Sequence, residues 1–277
     1  MSIRIGNQTA HSARSVMEPF EFALANDFTA FEFFPDRGPA GVGGWAETDL
    51  NAGQRQAIRQ RAAEHDVQLT VHAPLTFAPV DKPQDARLYS TVEFAHDIGA
   101  KLINLHLDIG RGAEQFVEAL ATTLRLTAEA NLKLAVENTV WTGPEDFNAM
   151  FAALDERRDL PTAHVGMCFD LGHANLYGAT QNNYWRFLDL LAPGVRIIHL
   201  HLHENLGDRD SHLPLFTGPS RLNATGIAGM LSRVRQRGFN GCAILEQWPS
   251  PPSLLVNARD GLLNLLQLAP ALETSYA

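Results

Sequence analysis

Short apolar runs recur along the whole length of this 277-residue chain, and stretches with helical spacing lie between them. Six of the runs end in an acid or a histidine: LTVHAP, LINLH, LAVEN, GMCFDLGH, IIHLHLHEN and AILEQ. Several are apolar on both faces, as a parallel strand covered on both sides requires. A repeated strand–helix unit of this kind limits the chain to a few α/β folds.

The alternation continues for eight units, which predicts a single (β/α)8 or TIM barrel domain over residues 1–277. An open doubly wound sheet is the rival α/β fold, but it would not gather eight strand ends around one centre. Gly99, Asn131 and Gly238 are predicted to end helices. The predicted strands are 3–7, 30–35, 67–73, 101–107, 132–138, 164–170, 195–202 and 241–247. The predicted helices are 15–26, 53–65, 85–98, 113–130, 144–156, 181–191, 224–237 and 253–267.

Composition and charge exclude several classes of protein. No run approaches the roughly 18 apolar residues of a membrane span, and the N-terminus has no apolar signal core, so we expect a cytoplasmic protein. Cys168 and Cys242 lie in apolar runs and are predicted to be buried thiols, not a disulfide. The formal charge of −9 gives no general basic surface for nucleic acid, although a local basic groove is compatible with it.

The acids and histidines that close the runs are expected to meet, because the carboxyl ends of barrel strands surround one mouth. Glu137 and Glu246 follow aliphatic segments, and a buried carboxylate there needs a cation or hydrogen-bond donors. Opposed across the mouth, the two carboxylates would repel each other unless a metal lay between them. Oxygen and nitrogen ligands without thiolates suit Mn, Mg, Co or Zn. The sequence therefore predicts a divalent-metal centre.

Other polar residues near the strand ends have more than one interpretation. Asp170 and His173 form a D-x-x-H pair, which could bind a cation or cap a helix. His199, His201 and His203 alternate and so share one face of a strand. His201 sits where the strand ends and is predicted to be a ligand, whereas the other two could equally be hydrogen-bonded core residues. The choice among metal ligand, substrate contact and structural residue stays open for His72, His106, Asp210 and His212.

Two connections are longer than a barrel needs, at 35–52 and 203–223, and both follow strands, which places them on the catalytic face. The Gly-rich segment 38–44 lacks the ending of a phosphate loop and is predicted to be a flexible flap. Aromatic residues in or beside the catalytic-face loops could form an apolar wall against a sugar, or could simply pack the loops. They are Trp45, Phe77, Trp141 and Trp248.

The motifs HAP, VEN, D-x-x-H, H-x-H-E-N and D-x-H-L-P-L, in this order, resemble the xylose isomerase-like TIM-barrel superfamily over about residues 3–250. One branch of that superfamily contains sugar isomerases and epimerases. This resemblance implies one divalent metal, with Glu137 and Glu246 also acting as acid and base and His173 contacting substrate. The four ligands that it implies are Glu137, Asp170, His201 and Glu246. Arg209 is a further candidate for binding a hydroxyl, carboxylate or phosphate group.

A second branch, the endonuclease IV family of abasic-site endonucleases, implies three zinc ions and nine ligands. The chain has a matching residue type for each: His72, His106, Glu137, Asp170, His173, His201, Asp210, His212 and Glu246. Against this branch, the segment after HAP reads LTFAPVDKP and lacks the aromatic and Asn-containing insert of the endonucleases. Basic residues near the mouth are also sparse for a duplex binder, the main candidates being Arg37, Arg111, Arg209 and Arg221.

The sequence thus predicts a metal-dependent isomerase or epimerase of a sugar, keto-sugar or sugar phosphate, with a small carbohydrate as its partner. The alternative is a trinuclear zinc phosphodiesterase that acts on abasic DNA. A non-catalytic barrel is a third class, which the intact set of acids and histidines disfavours. Self-association into a homo-oligomer is compatible with the sequence but not indicated by any particular patch.

Overall fold

Eight parallel strands close into one barrel, and the strands follow one another around it in chain order. The computed structural model describes residues 3–37 and 44–273. Each strand pairs with the next, and the last pairs with the first. The strands are β1 (Arg4–Gln8), β2 (Ala30–Phe33), β3 (Gln68–His72), β4 (Leu102–His106), β5 (Lys133–Glu137), β6 (Val165–Asp170), β7 (Ile197–Leu202) and β8 (Cys242–Leu245). The TIM barrel predicted from the repeated unit is confirmed.

Helices fill the connections and cover the outside of the barrel. They are α1 (Glu18–Ala25), α2 (Ala52–Glu64), α3 (Ala86–Ile98), α4 (Ala113–Ala119), α5 (Ala121–Glu129), α6 (Pro144–Glu156), α7 (Leu171–Leu176), α8 (Arg186–Leu190), α9 (Thr225–Gln236) and α10 (Ser253–Glu273). None of the described helices is long and apolar enough to cross a membrane.

Two predicted helices differ from the structure. The helix predicted at 113–130 is divided at Leu120 into α4 and α5. Backbone hydrogen bonds continue across the division, because Leu120 N–H donates to the Phe116 oxygen and Leu124 N–H donates to the Leu120 oxygen. The helix predicted at 181–191 is wrong at its start, because Asn182 has a positive φ of 58° and cannot lie in a right-handed helix. A separate short helix, α7, begins earlier, where the Asp170 side chain accepts a hydrogen bond from the His173 backbone N–H.

Positive φ angles mark the predicted helix ends. Gly99, Asn131 and Gly238 have φ of 75°, 55° and 76°. Left-handed backbone of this kind ends a helix and is easiest for glycine or asparagine. The chain therefore turns into β4, β5 and β8 where the sequence indicated.

Large aromatic side chains pack between the barrel and its helices. Smaller apolar side chains fill the interior of the barrel below its mouth. Phe31 and Phe33 of β2 contact Phe20 of α1 in the outer layer. Two small apolar clusters contain the cysteines: Cys242 packs with Ala30 and Ile244, and Cys168 packs with Leu102 and Ala135. Both thiols are free and buried, as predicted. Burial raises the pKa of Cys242 to about 12, so this thiol stays protonated and unreactive.

Gly6 allows the closest approach between β1 and β2. It pairs with Ala30, and a Cβ atom at position 6 would lie 2.2 Å from the Ala30 carbonyl oxygen. Backbone cannot move aside as a flexible side chain can, so any larger residue would push the two strands apart.

We therefore expect Gly6→Ala to lower the free energy of unfolding by about 1–3 kcal/mol, the usual cost of overpacking. Gly178→Ala is the matched control, because a Cβ there meets no atom within 4 Å. Chemical denaturation monitored by circular dichroism measures both. Equal stability of the two variants would contradict this account of the strand contact.

Candidate metal centre

Four of the predicted ligands converge at the carboxyl-terminal mouth of the barrel. Glu137, Asp170 and His201 end or nearly end β5, β6 and β7, and Glu246 directly follows β8. One ligand-type atom from each lies within 4.8 Å of those of the other three. His201 Nδ1 is 3.1 Å from Glu137 Oε2 and 3.4 Å from Glu246 Oε1. All four side chains are buried, so the strand ends bring together a compact set of oxygen and nitrogen donors.

The unpaired atoms of this group suit a divalent cation. Within the described residues, no hydrogen-bond donor or acceptor with acceptable geometry reaches Glu137 Oε1, Asp170 Oδ2, His201 Nδ1 or Glu246 Oε2. Buried polar atoms normally have partners, because an unsatisfied one costs free energy. Three carboxylates and an imidazole are ligands that Zn, Mn, Co or Mg accept. These side chains therefore fit a metal ion.

Charge in the mouth keeps the carboxylates ionised. Burial alone would favour the neutral acid, but the charge of His201, with hydrogen bonds from His173 and His201, holds the pKa of Glu137 well below its usual range. At Glu246, burial would also raise the pKa of the carboxyl group, but His201 lowers this pKa by a larger amount. The Asp210 pKa is also low, since its side chain accepts hydrogen bonds from His173 and His212. At neutral pH these carboxylates are available as ligands or as proton acceptors.

Asn138 ties the end of β5 to the end of β6. Its side-chain amide donates to the Asp170 carbonyl oxygen at 2.9 Å and accepts from the Asp170 N–H at 2.8 Å. Its own carbonyl oxygen accepts a hydrogen bond from His173 Nδ1 at 2.8 Å. One buried residue thus fixes the positions of Asp170 and His173, a role that its place after Glu137 in VEN did not reveal.

His72 and His106 lie on the β3–β4 side of the mouth and face Glu137. His72 Nε2 is 3.3 Å from Glu137 Oε2, and His106 Nε2 is 3.7 Å from Glu137 Oε1. Asn104, which the sequence analysis overlooked, also donates a hydrogen bond to Glu137 Oε2. Burial lowers the pKa of His106 to about 4, so this imidazole is neutral at pH 7.

A second cluster of ligand types lies beside the first, on the β6–β7 side. It consists of His173, His203, Asp210 and His212, whose ligand-type atoms lie within 4.8 Å of one another. Asp210 Oδ2 is 3.3 Å from His173 Nε2 and 3.1 Å from His212 Nε2. His203 stacks on His212 with ring centroids 3.9 Å apart, and its Nε2 is 3.2 Å from Asp170 Oδ1. His203 therefore belongs to the mouth and joins the two clusters.

Backbone carbonyl groups orient three of the histidines. Nδ1 of His72 donates to the Ala73 oxygen at 2.6 Å, and Nδ1 of His212 donates to the Glu246 oxygen at 2.8 Å. His173 makes the same kind of bond to Asn138. Nε2 of His173 and of His212 donates to Asp210 while it is protonated, and a ring held through Nδ1 has its lone pair on Nε2 once that proton is lost. Each of these rings therefore turns a possible ligand atom toward a carboxylate of the mouth.

Glu204 anchors the loop that carries Asp210 and His212. Its buried carboxylate accepts hydrogen bonds from Tyr184 Oη at 2.8 Å and from the N–H and Oγ of Ser220 at 2.9 Å each. The Glu204 backbone also pairs with Leu213. The HEN motif did not reveal this role, because all three of its residues could equally have belonged to the metal centre.

Glu32 is a further buried acid that the sequence analysis missed. It lies on β2 inside the barrel and accepts hydrogen bonds from His199 Nε2 at 2.9 Å and His201 Nε2 at 2.8 Å. His199 is thus a hydrogen-bonded core residue, one of the two roles left open for it. The available signal was a single acid within the aromatic run AFEFF.

Cys168 also lies close to His199 and His201. Burial raises the pKa of its thiol well above the usual range, so the sulfur carries a proton at neutral pH.

The aromatic side chains proposed as a substrate wall have varied surroundings. Trp45 is 8% exposed and packs edge-to-face on Phe33 and Phe94, which favours the loop-packing alternative for this residue. Phe77 belongs to the same core cluster, and Trp248 packs edge-on against Phe22. Trp141 is 86% exposed. The wall role stays a prediction, as does the flap, since residues 38–43 lie outside the described residues.

The basic residues considered for phosphate binding are partly neutralised. Arg37 pairs with Asp49 at 2.5 Å and Arg111 pairs with Asp81 at 2.8 Å. Arg209 is exposed in the loop next to Asp210. Ion-paired guanidinium groups contribute less net positive charge to a nucleic-acid surface than free ones.

Removal of the Asn138 amide should destabilise the protein. We expect Asn138→Ala to lower the free energy of unfolding by about 2–4 kcal/mol, because the buried N–H and carbonyl groups of Asp170 would lose their partners. The control is Asn148→Ala. The Asn148 amide also hydrogen-bonds two backbone groups, of Leu190 and Ala192, but Asn148 is only partly buried, so water can replace it. Urea denaturation compares the two; an equally small loss in both would contradict the assigned role.

Comparison with known proteins agrees with the fold. The model of the xylose isomerase-like TIM barrel family matches residues 20–267. An uncharacterized protein of Methanocaldococcus jannaschii, MJ1311, is 22% identical over 204 residues, which are 66% of this chain and 65% of that protein. The chain thus spans just under two thirds of that relative.

Solved structures of similar shape include sugar epimerases by title. The crystal structure of a D-tagatose 3-epimerase-like protein has a TM-score of 0.74 at 18% identity, covering 97% of this chain and 99% of the other. The structure of L-ribulose 3-epimerase has a TM-score of 0.69 at 15% identity, covering 100% and 98%. At such identities the likeness shows the fold alone, whereas the family match covers most of the sequence. The chain belongs to the xylose isomerase-like TIM barrel family.

Proposed function

We propose that this protein is a divalent-metal-dependent isomerase or epimerase of a sugar, keto-sugar or sugar phosphate. The observation that carries the proposal is the pair of buried glutamates at the barrel mouth. Glu137 and Glu246 approach the same nitrogen of His201, and their ligand-type oxygens lie within 4.8 Å of each other. Two carboxyl groups at one point, one ionised and one protonated from solvent, can take a proton from carbon and give one back.

The bound cation would polarise the carbonyl group of the substrate and so increase the acidity of the neighbouring C–H bond. In an epimerisation, one glutamate takes the proton from that carbon, and the other, after taking up a proton from solvent, delivers it to the opposite face; the first glutamate then releases its proton to solvent. In an isomerisation, the proton returns to the former carbonyl carbon instead, and the proton of the neighbouring hydroxyl group moves to the former carbonyl oxygen. The low pKa values of Glu137 and Glu246 keep the carboxylates ready to accept the proton at neutral pH.

The second cluster supplies contacts for substrate hydroxyl groups. His173 and His212 present Nε2 atoms beside Asp210, next to the pair of glutamates. Hydroxyl groups both donate and accept hydrogen bonds, so imidazole and carboxylate groups at the rim suit a sugar. The epimerase titles among the structural neighbours support this substrate class, although their sequences are distant.

A specific observation favours a second candidate, a phosphodiester hydrolase with up to three zinc ions. The nine side chains of the endonuclease pattern line one mouth, where Glu137 faces His72 and His106 on one side and His173 on the other. A multinuclear centre activates water and stabilises a leaving oxygen. The ion pairs of Arg37 and Arg111 weigh against a nucleic-acid substrate, so this candidate ranks second.

Replacement of one glutamate tests the proton transfer. We expect Glu246→Gln to reduce turnover by about 10²–10⁴-fold, because an amide cannot act as a base. Solvent-deuterium incorporation into a panel of ketoses and ketose phosphates, followed by NMR, is the assay. Glu129→Gln, at the end of α5, is the control and should retain activity. Turnover at the wild-type rate in a folded Glu246→Gln protein would refute the acid–base assignment.

Metal content separates the two candidate functions. The isomerase proposal predicts one tightly bound ion per chain, and the hydrolase predicts about three. Elemental analysis after Zn²⁺ loading and gel filtration measures the ratio. His212→Asn should leave the ratio unchanged in the first case and lower it by one ion in the second. Three ions together with catalytic nicking of abasic duplex DNA would replace the isomerase proposal by the hydrolase.

A further inference from the structure

Glu32 is a buried carboxylate beneath the metal centre that the proposed proton transfer does not use. It lies in the middle of β2 and is fully buried. Thr70 Oγ1 and His199 Nε2 each donate to Oε2 at 2.9 Å, and His201 Nε2 donates to Oε1 at 2.8 Å. Within the described part of the chain, its ion-pair partners are the two histidines, without any lysine or arginine. Both oxygens are thus engaged, and the carboxylate is held in one orientation.

The contact spans the interior of the barrel. β2 and β7 are not neighbours in the sheet, yet Glu32 of β2 reaches two side chains of β7. His199 and His201 are two residues apart and therefore point to the same side of their strand. Thr70, which pairs with Glu32 in the β2–β3 ladder, holds the acid from its own side. The acid therefore links the candidate ligand His201 to the opposite wall.

Glu32 also selects the nitrogen that His201 turns toward the other ligands. In a neutral imidazole one nitrogen carries hydrogen and the other a lone pair. Because Nε2 donates to Glu32, the proton that a cation displaces is the one on Nδ1, and the lone pair then lies on the nitrogen that faces Glu137 and Glu246. His72, His173 and His212 show the reverse arrangement, since each donates through Nδ1 to a backbone carbonyl. His201 differs from these rings in that the hydrogen bond to a buried carboxylate on the far side of the ring, not one to a backbone carbonyl, leaves Nδ1 facing the other candidate ligands.

We propose that Glu32 is a positioning residue that fixes the ring orientation and tautomer of His201, so that Nδ1 serves as the metal ligand. A carboxylate behind an imidazole ligand both holds the ring and increases the basicity of the coordinating nitrogen. Thr70 and His199 in turn hold the carboxylate. This inference rests on the proposed metal-dependent function and adds a residue that contacts neither metal nor substrate.

The first test is Zn²⁺ affinity, measured by competition with a chromophoric chelator. Glu32→Gln keeps the shape of the side chain but offers one acceptor oxygen, which cannot serve both histidines. We expect the affinity to fall by about 10–100-fold, as for other partners of ligating histidines. Glu47→Gln is the matched control, because Glu47 is also buried and accepts a hydrogen bond from Thr91 at 2.8 Å, outside the barrel. Its affinity should equal that of the wild type.

The second test needs no variant and therefore stands even if Glu32→Gln does not fold. In Zn²⁺-loaded wild-type protein with ¹⁵N-labelled histidine, long-range ¹H–¹⁵N NMR should show His201 with a protected Nε2–H and a metal-bound Nδ1. Coordination through Nε2, or wild-type affinity in a folded Glu32→Gln protein, would overturn the inference while leaving the proposed function intact. Failure of the wild type to bind Zn²⁺, Mn²⁺ or Co²⁺ would instead contradict the proposed function.

Discussion

The interior of this barrel depends on buried carboxylates that imidazoles alone neutralise. In the described residues, the ion-pair partners of Glu32, Glu137, Asp170 and Glu246 are all histidines. An arginine in their place would hold its charge permanently and fill the space between the acids. A histidine can lose its proton when a cation arrives and then offer a lone pair as a ligand. The choice of imidazole therefore leaves the mouth able to exchange protons for a metal.

This network is arranged in layers along the barrel axis. Small apolar residues such as Ala30 and Ala135 lie two positions before Glu32 and Glu137 on the same strands and so fill the interior below them. Glu32, Thr70 and His199 form a buried polar layer above them. The ligand-type atoms of Glu137, His201 and Glu246 lie at the mouth. Because successive interior side chains on a strand are two residues apart, β7 supplies His199 and His201 to adjacent layers and connects them.

Much of this arrangement could be predicted from the sequence, since the physical signal is local. A parallel strand buried on both faces reads as an apolar run, and its end is marked by the first acid or histidine, as at His106 and Glu137. The barrel topology then implies that such ends meet. The metal-ligand role of the four residues stays a prediction.

The residues that sequence reasoning missed are those whose role comes from contacts distant in the chain. Glu32 is separated by 169 positions from His201, and flanking phenylalanines hid the interior position of the acid. Asn138 follows a candidate ligand and so resembled part of the site, but its partners are backbone groups of β6. Trp45 differs from these residues, because its packing into the core is the loop-packing alternative that the sequence had left open. Local patterns carry no information about these distant partners.

The loop after β7 shows how such distant contacts prepare the site. Asp210 and His212 lie on a long connection, and flexible loops usually hold side chains loosely. Here the buried Glu204 accepts hydrogen bonds from Tyr184, which precedes β7, and from Ser220 near the far end of the same loop, and the ladder bond to Leu213 closes the loop on itself. The position of Asp210 relative to His173 is therefore set by protein contacts before any ligand binds. Preorganisation of this kind lowers the entropic cost of ordering the rim around a substrate. A preorganised rim suits hydrogen bonds to a sugar and ligation of a further cation equally well. The number of bound ions, and not the shape of the mouth, therefore distinguishes the isomerase from the hydrolase.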